Sequence, residues 1–350
     1  MTAACSTPGR HFASDNFAGI CPEAWAAMEA ANRDHAASYG ADSWTEEAAR
    51  KIREVFETDC EVFFIFNGTS ANALAVASTC APFDSALCHE HSHLFNDECG
   101  APGFFAHGVT LMPLPGKNGK LHYSEIESAV ARRTDIHHSR PRLISITQST
   151  ELGTVYTVEE VASVGETTDR LGLRLHMDGA RLANALATLC VAPRAITWEA
   201  GVDVLTLGGT KNGLAAGEAL VFFDRHLARD FDFRRKQSGQ LASKMRFLAA
   251  PWSGIMHDGA WLRHAAHANA MAAELERGLR LLPGVTISFP REANAVFAKL
   301  GGKMIDGLHG RGWQFYTDVG PGGAARLMCS WDTTLEDVAA FLRDASDFAK

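Results

Sequence analysis

The sequence predicts an α/β protein, with a mostly parallel central sheet covered by helices on both faces and a small α+β domain after it. Three observations carry this reading. Between residues 61 and 207, short apolar runs alternate with helical patterns. Those runs are nearly continuous, as expected of strands buried on both faces. After Phe223 the character changes to long helical stretches and then short strands. A chain of 350 residues, 46% hydrophobic, buries a core large enough for two domains. We place an N-terminal segment and large domain at 1–254 and a small C-terminal domain at 255–350.

The elements follow in order. "CPEAWAAMEAANRDH" (21–35) reads as a helix with Pro22 in its first turn, where a missing N–H costs little. "SWTEEAARKIREVFE" (43–57) is a second helix. Ser43 and Glu46 fit a capping box, and Ala49, Ile52, Val55 and Phe56 share one face. Strand "EVFFIF" (61–66) precedes a helix from Thr69 to about Ala81. "SALCH" (85–89) and "VTLMPL" (109–114) are strands, the latter closed by the turn "GKNGK". Helix "SEIESAVARR" leads to strand "RLISIT" (142–147), and a helix over 157–171 leads to strand "LRLHMD" (173–178). A helix after Gly179, a short one near 193–200 and strand "VDVLTL" (202–207) complete the alternation. Residues 224–252 and 258–282 read as long helices. The tail holds strands "GVTISF", "NAVFAKL", "WQFYT" and "ARLMCSW", with helices at 303–310 and 334–347.

The mildly acidic balance, 33 Lys+Arg against 41 Asp+Glu, argues against a nucleic-acid or acidic-membrane partner. Eight scattered cysteines form no CxxC pair, which points to a reducing compartment. The start, "MTAACSTPGRHFASDNF", lacks a basic-then-apolar signal pattern, and no apolar run reaches the roughly 18–20 residues of a membrane span. The expectation is a cytoplasmic protein.

Three signals fall at ends of predicted strands, where such sheets bind ligands. In "FNGTSAN" (66–72), Asn67-Gly68-Thr69-Ser70 joins a strand to a helix. A helix N-terminus offers free N–H groups, and glycine lets an anion approach closely. An ordinary glycine turn with a Ser/Thr cap fits the same residues. In "HMDGAR" (176–181), Asp178 can accept from a protonated ring nitrogen, and Arg181 can fork onto a carboxylate or phenolate oxygen. An Asp that caps the next helix and pairs with its own Arg is the alternative. In "VLTLGGTKNGLAAGEALVFF" (204–223), Lys211 stands among small residues between two apolar runs. Partial desolvation there favours a nucleophilic amine. Anion cup, acid and then lysine is the order that pyridoxal 5'-phosphate needs for its phosphate, its ring nitrogen and its imine.

These stretches, with "SDNFAGICPEAW", "YGAD", "HLFNDECGAP", "GGTKNG" and "GGAARLMCSWD", run from residue 14 to 332. In that order they resemble the threonine aldolases of the fold-type-I pyridoxal phosphate enzymes, close to the low-specificity L-threonine and phenylserine aldolases. The resemblance implies a fold-type-I transferase-like architecture and retro-aldol cleavage of L-β-hydroxy-α-amino acids to glycine and an aldehyde. It implies Lys211 as imine lysine, Asp178 as ring-nitrogen partner, and Gly68 and Thr69 on the phosphate. Arg181 would reach the ring oxygen and the substrate carboxylate, His93 would stack on the ring, and Ser14 and Arg326 would hold the carboxylate. Lys236 and Arg246 resemble basic residues that approach the phosphate from a neighbouring subunit. At least a dimer, commonly a tetramer, is implied.

One departure concerns the proton acceptor. Many relatives carry a Thr-His-Asn stretch where this chain has "ITQSTELGTVY" (146–156). Gln148 or Thr150 is expected in that space, and His93, His91 or an ordered water are the candidate bases. His89, His91 and His93 alternate as metal ligands might, but no second ligand cluster is evident, so no metal is expected. "GPGGAA" (320–325) leads into a strand and is not a dinucleotide fingerprint. The rival functions are a β-eliminating lyase, an aminotransferase, or a non-catalytic binding protein.

Overall fold

The computed structural model describes residues 11–133 and 135–349. Its central sheet has seven strands: β1 (Glu61–Ile65), β2 (Asp84–His89), β3 (Thr110–Leu114), β4 (Arg140–Thr147), β5 (Arg174–Gly179), β6 (Val204–Leu207) and β7 (Glu218–Phe222). The order is β1-β7-β6-β5-β4-β2-β3. All neighbours are parallel except β7, which runs antiparallel to both β1 and β6. Alternate residues of β1 enter different cores. Phe64 joins Ile52, Phe56 and Trp252, while Ile65 joins Leu74, Leu220 and Phe231. Both faces are therefore covered, which explains the unbroken apolar runs.

A second sheet of β8 (Thr286–Ile287), β9 (Ala295–Lys299), β10 (Tyr316–Val319) and β11 (Ala324–Met328) is antiparallel, in the order β10-β11-β9-β8. It packs with the helices Ala260–Leu279 and Leu335–Ser346 around Leu275, Leu279, Val338 and Phe341. Phe12, near the other end of the chain, inserts into this core. Its N–H donates to Gln314 O at 2.7 Å, and its carbonyl accepts from Met328 N–H at 2.8 Å.

Local details depart from the sequence reading. The helix Ser43–Phe56 is capped by Asp42, whose carboxylate accepts from Thr45 N–H, and Ser43 is already helical, so no capping box forms with Glu46. Asn67, not a Ser or Thr, caps the helix Gly68–Thr79 by accepting from Ser70 N–H. The long helix expected over 224–252 is two, Phe231–Gln237 and Arg246–Met256. They are separated where Gly239 turns with φ +76°, a conformation that ends a helix. The strand expected at 313–317 starts instead at Tyr316; Gln314 pairs with the N-terminal segment in an isolated bridge to His11. Among the described residues no helix is long and apolar enough to cross a membrane.

Candidate active site

The carboxyl ends of β1, β5 and β6 converge on a cavity of about 240 Å³. Its lining includes Gly68, Thr69, His93, Asp178 and Lys211, five of the residues singled out from the sequence. It also includes Asn72, Thr210 and Glu218, which were not.

Lys211 sits in a tight turn, Thr210–Asn212, directly after β6. The backbone leaving β6 lies so close to the end of β5 that a Cβ on Gly208 would come within 2.3 Å of Ala180 O. Among the described residues, no hydrogen bond ties the Lys211 Nζ. A half-buried, untethered amine facing a cavity is suited to covalent chemistry.

Asp178 ends β5 and is buried. Its Oδ1 accepts from Ala180 N–H at 3.0 Å and its Oδ2 from Asn72 Nδ2 at 2.9 Å. The same Asn72 nitrogen donates to Glu98 Oε1 at 3.0 Å, and Glu98 Oε1 lies 2.8 Å from His93 Nδ1. One amide thus bridges two buried carboxylates and links the acid under the cavity to the histidine above it. The Glu98 hydrogen bond is the main cause of a raised His93 pKa, with burial opposing it. Behind Asp178, His176 is held between Ser145 (2.9 Å) and Thr206 (3.1 Å). Burial lowers its pKa to about 4, so it is neutral.

The anion cup is built by the helix Gly68–Thr79. Among the described residues the N–H groups of Gly68 and Thr69 have no partner, and a Cβ on Gly68 would meet no atom within 4 Å. Free donors around open space suit a phosphate.

Ser14, Arg181 and Arg326 do not line this cavity but gather beside it around Asp15. Arg181 Nε and Nη2 grip Asp15 at 2.7 and 2.9 Å, leaving Nη1 without a partner among the described residues. Burial alone would raise the Asp15 carboxyl, but the Arg181 guanidinium outweighs it and holds it below the usual carboxylate range. Arg326 donates to Ala13 O at 3.2 Å, and its Nε is buried with no partner. Burial lowers its pKa, as does the charge of nearby Arg181. Two close guanidiniums with spare donors call for an anion between them. Sequence reasoning missed Asp15, although it stands within the quoted "SDNF".

The expected replacements for the missing histidine do not stand free. Gln148 is held by the Tyr156 backbone, donating to its carbonyl at 2.9 Å and accepting from its N–H at 3.0 Å. Thr150 bonds the Thr154 hydroxyl at 2.8 Å. Both hold the loop after β4. His91 packs against His89 and does not line the cavity, leaving His93 as the histidine that does. Both ring nitrogens of His89 are engaged, by Gly116 O and His91 N–H. Elsewhere, Cys21, Glu23 and His264 bring donor atoms within 4.8 Å of one another, a group hidden by sequence distance. Glu23 there already pairs with His264 at 2.9 Å, with Arg263 at 3.8 Å. Lys236 lies over the Tyr39 ring and Arg246 bonds Asp34 O, both away from the cavity of their own chain.

Residues 11–301 match the family described as beta-eliminating lyase, and the chain belongs to that family. Within it, the chain belongs to the low-specificity L-threonine aldolase family. It is 54% identical to a low specificity L-threonine aldolase of Pseudomonas sp. (strain NCIMB 10558), over 95% of this chain and 97% of the relative. It is also 54% identical to one of Pseudomonas aeruginosa, over 96% of each. The structure of a Leishmania major threonine aldolase superposes with a TM-score of 0.91 at 31% identity, covering 97% of this chain and 99% of that one. A Bacillus subtilis ureidoglycine–glyoxylate aminotransferase, at TM-score 0.69 and 14% identity, shares the fold alone.

Proposed function

We propose that the protein is a pyridoxal phosphate-dependent aldolase that cleaves L-threonine, L-allo-threonine and related L-β-hydroxy-α-amino acids to glycine and an aldehyde, reversibly. The observation that carries this is Lys211, an amine without a hydrogen bond, in one cavity with Asp178 and the Gly68–Thr69 cup. The 54% identity to two low specificity L-threonine aldolases favours the aldolase over an aminotransferase or a β-eliminating lyase.

The residues fit the cofactor. Gly68 and Thr69 would hold its phosphate, Asp178 its protonated ring nitrogen, His93 its ring face and Lys211 its carbonyl carbon. When bound, pyridoxal phosphate supplies an electron sink for the bonding pair released at Cα. The chain's own residues do the rest. Arg181 through Nη1, Arg326 through Nε and the Ser14 hydroxyl fix the α-carboxylate, which sets the orientation of the Cα–Cβ bond. Neutral His93 takes the β-hydroxyl proton at Nε2 while Glu98 accepts from Nδ1–H and steadies the imidazolium. General-base help of this kind is worth roughly 10²–10⁴-fold. The buried Asp178 carboxylate, fixed by two donors, would keep the ring nitrogen protonated without reorganising. Lys211 Nζ would return a proton to Cα and would hold the cofactor between turnovers.

The family resemblance and the exposed Phe17, Trp25 and Tyr39 side chains support a homo-oligomer, dimer or tetramer, with Lys236 and Arg246 offered to a neighbour's phosphate. The seven described cysteines are all free, in keeping with a cytoplasmic compartment. The division into 1–254 and 255–350 is part of the same proposal.

The test is a steady-state assay of the four threonine stereoisomers with product identification. Acetaldehyde and glycine from the L isomers are expected. Ammonia with a keto acid would replace this reading by elimination, and amino transfer to a keto acid by an aminotransferase.

A further inference from the structure

A buried carboxylate shares the cavity with Lys211 and has no part in the chemistry above. Glu218 opens β7, the strand of the seven-stranded sheet that runs against the others, and that reversal places it across from the turn leaving β6. The side chain is 7% exposed and lines the same cavity as Thr210 and Lys211. Its Oε2 accepts from Gly209 N–H at 2.6 Å, gripping the turn two residues before the lysine. In the register of β1 and β7 it stands opposite Ile65, just ahead of the anion cup.

The charged groups that act on it are Lys211 and Asp178, with the Thr210 hydroxyl as a further donor. Burial, aided by the Asp178 charge and opposed by the Gly209 N–H, Lys211 and the Thr210 hydroxyl, leaves the Glu218 carboxyl raised to about 7. A carboxyl buried this deeply is retained at a cost unless a cation answers it. The cation provided is the lysine.

We propose that Glu218 is a positioning residue that fixes the Gly209–Lys211 turn and supplies the counter-charge for a positively charged Lys211 nitrogen. The inference rests on the reading of Lys211 as the cofactor lysine. In its carboxylate form Glu218 favours the protonated state of that nitrogen, whether free or joined to the cofactor. A counter-charge role also accounts for the acceptor being a carboxyl, since a neutral acceptor would satisfy the Gly209 N–H equally well.

The experiment is a pH titration of the visible cofactor band in purified holoenzyme, comparing wild type, Glu218→Gln and Glu218→Asp. Glutamine keeps an oxygen for the Gly209 N–H and removes the charge. The titration midpoint is expected to fall by about one pH unit in Glu218→Gln, and to lie between the two in Glu218→Asp. A purely structural role would leave the midpoint of folded Glu218→Gln where it was, and that result overturns the proposal. If a variant fails to load cofactor, the comparison is read on apoenzyme, as the pH dependence of Lys211 acetylation by acetic anhydride followed by mass spectrometry. A lower midpoint in the glutamine variant supports the proposal there, and equal midpoints overturn it. A Lys211→Ala control separates the two layers. Should that control still hold cofactor covalently, the reading of Lys211 falls. Should it lose the cofactor while Glu218→Gln titrates as wild type, only the role of Glu218 falls.

Discussion

The carboxyl edge of the large sheet and the aromatic core under the small sheet are built on opposite terms. At the edge, Asp15, Glu98, Asp178, Arg181 and Glu218 are all buried, and Asn72 Oδ1, Glu98 Oε2 and Arg326 Nε have no partner. In the aromatic core, Phe12 stacks on Trp313 at 5.6 Å, Phe341 meets both rings edge-on at 5.2 and 5.1 Å, and the Trp313 indole N–H is answered by Asp344 at 2.7 Å. The edge holds unanswered charges and donors for a ligand to complete. The aromatic core holds nothing in reserve. Function should therefore be removable at the edge with little effect on folding, and stability removable at the core with little effect on chemistry.

The largest expected effect tests the edge. Lys211→Ala should reduce turnover to background and abolish borohydride-trapped cofactor, seen as the loss of the added mass on the peptide containing position 211. Because Nζ makes no hydrogen bond among the described residues, the urea midpoint of the apoenzyme should barely move. A variant that kept trapped cofactor would break the comparison at its strongest point. The converse is Phe341→Ala. Deleting a fully buried ring costs about 3–5 kcal/mol. Urea denaturation should show that loss, while kcat of the remaining folded enzyme stays near wild type.

The two regions also differ in how much of them could be read from the sequence. The edge was legible because each of its parts is local. A strand, a glycine turn and a polar residue sit together in "FNGTSAN", "HMDGAR" and "GGTKNG", and the parallel fold brings strand ends together by its own geometry. What joins those parts was not legible. Asn72 reaches Asp178 across 106 positions and Asp15 reaches Arg181 across 166, and neither spacing leaves a pattern. Glu218 was hidden for another reason, since it lies inside an apolar run and reads as a strand residue. The aromatic core was least legible. Phe12 and Trp313 meet only because the N-terminal segment lies along the small sheet, and no periodicity near residue 12 announces that. The missed boundaries are smaller matters of chemistry. Asp42 outcompetes Ser43 as cap because its carboxylate takes both the N–H and the hydroxyl of Thr45.

His176 sharpens the comparison, since it lies under the edge yet acts on stability. Its pKa is lowered from 6.5 to about 4 by burial. The unfolded chain therefore binds a proton that the native one refuses. The sign follows: stability from this group is complete above pH 6.5 and is lost as pH falls toward 4, by up to about 3 kcal/mol. Denaturation at a series of pH values should show this slope in wild type. His176→Asn should flatten it, since no ionisable group then remains between Ser145 and Thr206.

The smallest effect on folding is the most discriminating about the edge. Gly68 stands in the first turn of its helix with no positive φ, and an added Cβ meets no heavy atom within 4 Å. Inside the protein, Gly68→Ala is therefore free of clash, and removing glycine's flexibility in the unfolded chain stabilises by about 0.4–1 kcal/mol. The apoenzyme should unfold at an equal or slightly higher urea concentration. The same methyl group, however, enters the space beside the Gly68 and Thr69 N–H groups, where the proposed function puts the cofactor phosphate. Titration of the apoenzyme with pyridoxal phosphate should then show weaker binding, with the covalent chemistry of Lys211 intact once the site is saturated. Opposite signs for folding and for cofactor affinity are what a site kept open for a ligand requires. Unchanged affinity would move the phosphate away from this turn while leaving Lys211 and Asp178 where they are.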